Sequence, residues 1–172
     1  MKTHFEGKAY LVGSNIDTDV IYPGCYLELT DHQEIGRHCF AGLSDDYART
    51  FEKGGIVVGG RNFGCGSSRE HAAIALIAMG ASCVIADSFA RIFFRNGINL
   101  GLPLLVCKGL SGHLKEGDRL AVDLDAGLVT ILPSGERFSV EKLGEKAMEI
   151  LQAGGIKNLM RARSRAEDAA LQ

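Results

Sequence analysis

Short apolar runs bounded by glycines, with polar stretches between them, set the rhythm of this chain. Residues 8–13 predict a strand that opens into a polar loop over 14–19. An apolar pair (Val20, Ile21) and the turn residues Pro23 and Gly24 follow. A weak helical period over 30–43, capped at Thr30 or Asp31, puts Ile35, Cys39 and Phe40 on one face. Residues 44–53 are polar and read as loop with a short helix. Residues 55–59 and 82–86 are apolar without alternation, the pattern of strands buried on both faces. Between them, 72–79 is apolar on every side and predicts a helix in the domain centre. Ser67 and Glu70 stand at capping-box spacing before it, and Gly80 stands where a C-terminal glycine stops a helix. Asp87 or Ser88 caps a second helix through Asn96, closed by Gly97, and 102–106 is a third strand. Strand, helix, strand, helix, strand is the βαβ rhythm, and right-handed crossovers make that part of the sheet parallel.

The remainder changes style. Residues 119–124 and 128–132 alternate and are joined by Asp125, Ala126 and Gly127, a hairpin pattern. Residues 138–140 lead to a helix over 141–153, stopped by Gly154 and Gly155. The expected organisation is one α/β domain over 1–155 and a charged, Ala-rich tail over 156–172, read as a frayed helix.

Composition narrows the class. The 172 residues are 46% hydrophobic and 23% charged with a net charge of −2, values that give no reason to expect a general nucleic-acid or membrane-surface binder. No run reaches the ~18 apolar residues of a membrane span, and the first residues lack the apolar core of a signal peptide, so a cytoplasmic location is expected. The 22 glycines are nearly twice the usual ~7% share and fall at the ends of apolar runs. Cys25, Cys39, Cys65, Cys83 and Cys107 are an odd number without a C-x-x-C pair, which argues against a disulfide framework and against a metal site on this chain.

The stretch 62–72 (NFGCGSSREHA) concentrates what a catalytic loop needs. Gly60, Gly64 and Gly66 let the backbone turn tightly behind a strand, and a helix N-terminus with free N–H groups follows. Ser67 and Ser68 supply hydroxyls there, and Arg69 a guanidinium fork matched to a carboxylate. On these residues alone other readings stay open. Ser67 and Glu70 form only a capping box, or the loop cradles a nucleotide phosphate, although neither G-x-G-x-x-G nor G-K-[ST] is present. A third reading makes Cys65 a nucleophile with His71 as its base.

The same eleven residues resemble the signature of the aconitase swivel domain, as found in isopropylmalate dehydratase small subunits. The likeness continues through 15–19 (NIDTD), 22–24 (YPG), Tyr26–Leu27, 88–92 (SFARI), Asn96 and 101–103 (GLP), and covers residues 8–150 in order. It implies an α/β fold of the swivelling β/β/α type, a mixed sheet flanked by helices. It implies a hydro-lyase subunit in which Ser67 is the general base, Ser68 assists by hydrogen bonding, and Arg69 binds a substrate carboxylate beside Gly66. The [4Fe–4S] cluster would belong to a large-subunit partner, in a heterodimer or heterotetramer, with no cofactor on this chain.

In such small subunits the residues after Tyr26–Leu27 meet the substrate's variable group. Here they are Glu28, Leu29 and Thr30. Glu28 opposes a third carboxylate and Leu29 is apolar, so the resemblance implies an alkyl-substituted malate: isopropylmalate first, with a methylated malate such as dimethylmalate as the alternative. A non-catalytic carboxylate-binding module is the alternative of a different class. Asp17 and Asp19 are too few for a calcium loop and read as loop-capping or interface residues. His4, His32, His38 and His113 lack ligand spacing. Arg161, Arg163 and Arg165 of the tail are balanced by Glu167 and Asp168.

Overall fold

The computed structural model describes residues 3–170. Seven strands form one mixed sheet: β1 (His4–Gly13), β2 (Ile56–Gly59), β3 (Cys83–Ala86), β4 (Leu104–Val106), β5 (Arg119–Asp123), β6 (Leu128–Ile131) and β7 (Arg137–Ser139). Their order is β4-β3-β2-β1-β5-β6-β7. The β1-β2-β3-β4 half is parallel, and the β1-β5-β6-β7 half is antiparallel. Strand β1 serves both halves with different stretches: His4–Lys8 pairs with β5, while Ala9–Gly13 pairs with β2. That strand begins four residues earlier than the apolar run alone suggested. Its first residues are half polar, and pairing with β5 extends them into the sheet.

Alternation along the buried strands splits the core in two. Tyr10, Val57, Val84 and Leu104 point to the helical side. Ile56, Val58, Cys83 and Ile85 point the other way and pack with Leu120, Val122, Val129 and Ile131 of the antiparallel half. One cluster holds side chains of both halves, so the sheet curls over itself. Every residue of β2 and β3 is buried, as their unbroken apolar runs predict.

Seven helices complete the described chain: α1 (Thr18–Ile21), α2 (His32–Arg37), α3 (Tyr47–Thr50), α4 (Glu70–Met79), α5 (Arg91–Leu100), α6 (Glu145–Gln152) and α7 (Ile156–Ala170). Asp31 caps α2 by accepting from the Gln33 and Glu34 N–H groups, each at 2.9 Å. Helix α4 is central: Ala72, Ala73, Ala75, Leu76 and Met79 are buried, and α2 crosses so close that a Cβ on Gly36 would lie 2.6 Å from the Ala78 backbone. Gly80 ends α4 with φ 100°, the left-handed C-terminal glycine that the sequence pattern implied.

Helices α4, α5 and α6 have boundaries that differ from the sequence expectation. Helix α4 starts at Glu70, and no side chain caps it. The capping-box reading fails because Arg69 holds the cap position, two residues past Ser67; the Ser67 carbonyl accepts from the Arg69 N–H at 2.8 Å and from the Thr18 hydroxyl at 3.1 Å. Helix α5 starts at Arg91, because Asp87 and Ser88 are used elsewhere. They accept from the Gly109 and Asn62 N–H groups, both at 2.8 Å. It runs through Gly97 to Gly101 (φ 88°); Gly97 is a packing glycine whose Cβ would meet Leu104 at 2.6 Å. Residues 141–144 precede α6 without regular secondary structure. The charged tail is helical through α7, with Leu159 buried and Arg163 paired to Glu149 at 2.7 Å, while residues 171–172 lie outside the described chain. No described helix is long and apolar enough to cross a membrane.

Candidate active site

The loop between β2 and α4 is tied on both sides before it reaches its serines. On one side, the Gly64 N–H donates to the Ile16 carbonyl and the Thr18 N–H to the Cys65 carbonyl, both at 2.8 Å. On the other, the Phe63 N–H donates to the Ser88 carbonyl at 3.0 Å, and the Ala90 N–H to the Phe63 carbonyl at 2.9 Å. Two turns make the path possible. Asn62 sits at φ 56° with its amide on Asn15 at 3.3 Å, and Gly64 sits at φ 79° with its Cα against the Phe93 ring. A Cβ on Gly64 would overlap that ring, which packs edge-on against Phe63 at 5.4 Å between centroids.

Gly64→Ala is therefore expected to destabilise the chain by on the order of 3 kcal/mol, a left-handed backbone penalty plus an overpacked aromatic pair. Urea unfolding of the isolated chain checks this through the shift in midpoint. A midpoint equal to the parent's would contradict it.

Past Gly66 (φ 96°) the chain presents Ser67 and Ser68 exposed, and neither hydroxyl has a partner among the described residues. Arg69 is half-buried, paired with Asp19, and an added Cβ on Gly24 would stand 3.3 Å from its Nη1. Asp17 caps α1 by accepting from the Asp19 N–H at 2.7 Å, the loop-capping role expected of it. Gly66, Ser67, Ser68 and Arg69 border an open cleft of about 690 Å³ that the first turns of α5 also line.

The structure thus brings Gly66, Ser67, Ser68 and Arg69 together in one cleft. Glu28, Leu29 and Thr30 do not line it. They follow the 3-10 turn Gly24–Tyr26, where Tyr26 stacks on His38 at 3.9 Å and the Tyr22 hydroxyl donates to the Tyr26 carbonyl at 2.7 Å. Leu29 is half-buried against the core, and Glu28 and Thr30 are exposed. Their link to the cleft is the Gly24–Arg69 contact. His71 stacks on Tyr22, with centroids 6.2 Å apart, and makes no hydrogen bond to Cys65 among the described residues.

Arg91, Arg95 and Asn96 also line the cleft, and reasoning from the sequence did not single them out as site residues. The i,i+4 spacing of the two arginines was the available signal.

The cysteines are dispersed. Burial pushes the Cys39 and Cys83 thiols up, and Cys107 is pushed up to about 11, first by burial and then by Asp87. Cys25 is exposed and Cys65 half-buried. Among the described residues the one convergent group of potential metal ligands is His4, Asp123 and Asp125, without a cysteine. The donor set of this chain therefore does not fit a thiolate-held cluster.

The fold and this loop define the class: residues 44–108 match the family model of the aconitase C-terminal domain. Over 156 residues the chain is 49% identical to the isopropylmalate/citramalate isomerase small subunit of Methanocaldococcus jannaschii, covering 91% of this chain and 93% of that one. It is 47% identical to the 3-isopropylmalate dehydratase small subunit of Caldicellulosiruptor bescii, covering 88% of this chain and 92% of that one. A crystal structure of 3-isopropylmalate dehydratase from Methanocaldococcus jannaschii superposes with a TM-score of 0.93 at 39% identity, over 97% of this chain and 99% of that one. The chain belongs to the isopropylmalate dehydratase small-subunit family of aconitase-type hydro-lyases.

Proposed function

We propose that this chain is the small subunit of a heteromeric hydro-lyase that converts 2-isopropylmalate to 3-isopropylmalate, a step of leucine biosynthesis. The observation that carries the reading is the grouping of two unpartnered serine hydroxyls and Arg69 in one cleft at the entrance of α4. Ser67 removes the proton from the carbon next to a carboxylate. After loss of the hydroxyl the unsaturated acid is rehydrated with H and OH on exchanged carbons, so nothing is gained or lost overall. Serine acts as a base only where its alkoxide is stabilised, here by unsatisfied α4 N–H groups and the Arg69 charge in a site closed to water by the partner. Ser68 donates hydrogen bonds, and Arg69 holds a carboxylate through its fork.

The partner is a large subunit, as the relatives' names imply. It would carry a [4Fe–4S] cluster, which when bound polarises the leaving hydroxyl. The pair would act in the cytoplasm as a heterodimer or heterotetramer; a reducing compartment suits five free cysteines.

An alkyl-substituted malate is favoured on two grounds. The turn after Tyr26 offers Glu28 and Leu29 rather than a cation, and one relative's name joins isopropylmalate with citramalate, a methylated malate. The test is anaerobic reconstitution with the cognate large subunit, following the unsaturated acid with isopropylmalate, dimethylmalate and homocitrate in parallel. Turnover of isopropylmalate above the other two is expected. Turnover of none, with the cluster intact and the subunits associated, would leave a carboxylate-binding module instead.

A further inference from the structure

In the same cleft as the serines, α5 begins in a way that helix physics disfavours. Arg91 and Arg95 stand one turn apart on one face, a like-charge i,i+4 pair, at the end of the helix where the macrodipole is already positive. No side chain caps that end, because Ala90 holds the cap position. Both arginines are exposed, and neither guanidinium has a carboxylate partner among the described residues. Elsewhere Arg49, Arg119, Arg163 and Lys108 each face one, while among the described residues Arg37, Arg61 and Arg137 stand apart from carboxylates, outside this cleft. No acidic side chain lines the cleft, and Arg69 is already matched by Asp19, so Arg91 and Arg95 are its uncompensated cations. Between them Ile92 is 46% exposed, an apolar surface in the same wall. A local arrangement that costs helix stability without a structural return marks a functional demand.

We propose that Arg91 and Arg95 bind the second carboxylate of an alkyl-substituted dicarboxylate whose first carboxylate is held by Arg69, with Ile92 against the alkyl group. The inference rests on the hydro-lyase reading for its substrate. Three cations lining one open cleft also draw a dianion inward, so binding should weaken with salt.

The test compares wild type, Arg91→Gln, Arg95→Gln and the double variant in the reconstituted complex. Both positions are exposed, so folding should be unaffected. Each single variant is expected to lose on the order of tenfold in kcat/KM, carried mainly by KM, and the double variant on the order of a hundredfold. The double variant's KM should also depend less on ionic strength. Unchanged KM overturns the proposal. So does lost activity that excess large subunit restores, since the arginines would then bind acidic side chains of the partner. A wild-type complex that turns over no alkylmalate is a failure of the hydro-lyase reading and is seen before any variant is compared. The proposal is then decided by NMR titration of the isolated chain with 2-isopropylmalate. Shifts at 91–96 that the double substitution removes support it, and absence of such shifts in the wild type overturns it.

Discussion

Ser67→Ala is expected to lower kcat by a factor on the order of 10³ or more, with subunit association intact and KM changed far less. Among the described residues no imidazole, carboxylate or amine touches the Ser67 hydroxyl, so a Ser–His relay within this chain is absent. As the base proposed above, Ser67 would draw its reactivity from stabilisation of the alkoxide. The local sources are the uncapped start of α4 and the Arg69 guanidinium two residues on. Alanine would remove the proposed proton acceptor while leaving Arg69 and the cleft wall in place. The loss therefore belongs in kcat. The turn itself should survive, since it is the Ser67 backbone carbonyl, and not its hydroxyl, that holds Thr18 and the Arg69 N–H. Single-turnover measurement of solvent deuterium entering the substrate checks the step directly: the variant should exchange no proton. Exchange at the parent's rate would assign the base elsewhere.

Much of this architecture was readable because local and global demands agree. The unbroken apolar runs of β2 and β3 mean burial on both faces, and both strands are fully buried. Gly80 could sit at φ 100° cheaply and ends α4. Residues 62–72 pointed to the loop that now borders the cleft. What could not be read depends on partners far along the chain. Ser67 has cap spacing, but the helix begins past Arg69, and Thr18, 49 residues earlier, holds the Ser67 carbonyl in the turn before it. Gly97 looks like a stop and is a contact with Leu104. The central place of β1, and the curl that packs Leu120 and Val129 against Ile56, arise from pairings no local pattern encodes. Arg91 and Arg95 were visible as residues but not as a group, because their meaning depends on where α5 begins relative to the serine loop. Glu28 and Leu29 fall outside the cleft lining in this chain by itself.

Arg69→Lys is expected to reduce kcat/KM by on the order of a hundredfold although the charge is kept. In the free chain the Arg69 guanidinium is occupied by Asp19, with side-chain exposures of 31% and 58%. So exposed a pair contributes little to stability, and its geometry is cheaply rearranged when a carboxylate arrives. A guanidinium can keep Asp19 on one N–H and offer others to the substrate, so the substrate need not displace the aspartate. An ammonium is a point charge on a longer flexible stem. It can satisfy Asp19 or the substrate, but it lacks the fork that fixes the carboxylate's plane against Ser67. The loss should therefore appear in both KM and kcat, weaker binding and poorer alignment for proton removal. Asp19→Asn separates the two contributions. Released from its partner, Arg69 is free to bind carboxylate but no longer aimed, so KM should fall or hold while kcat drops. If Arg69→Lys instead matches the parent in both parameters, the guanidinium serves only as a charge, and the carboxylate is oriented by groups on the large subunit.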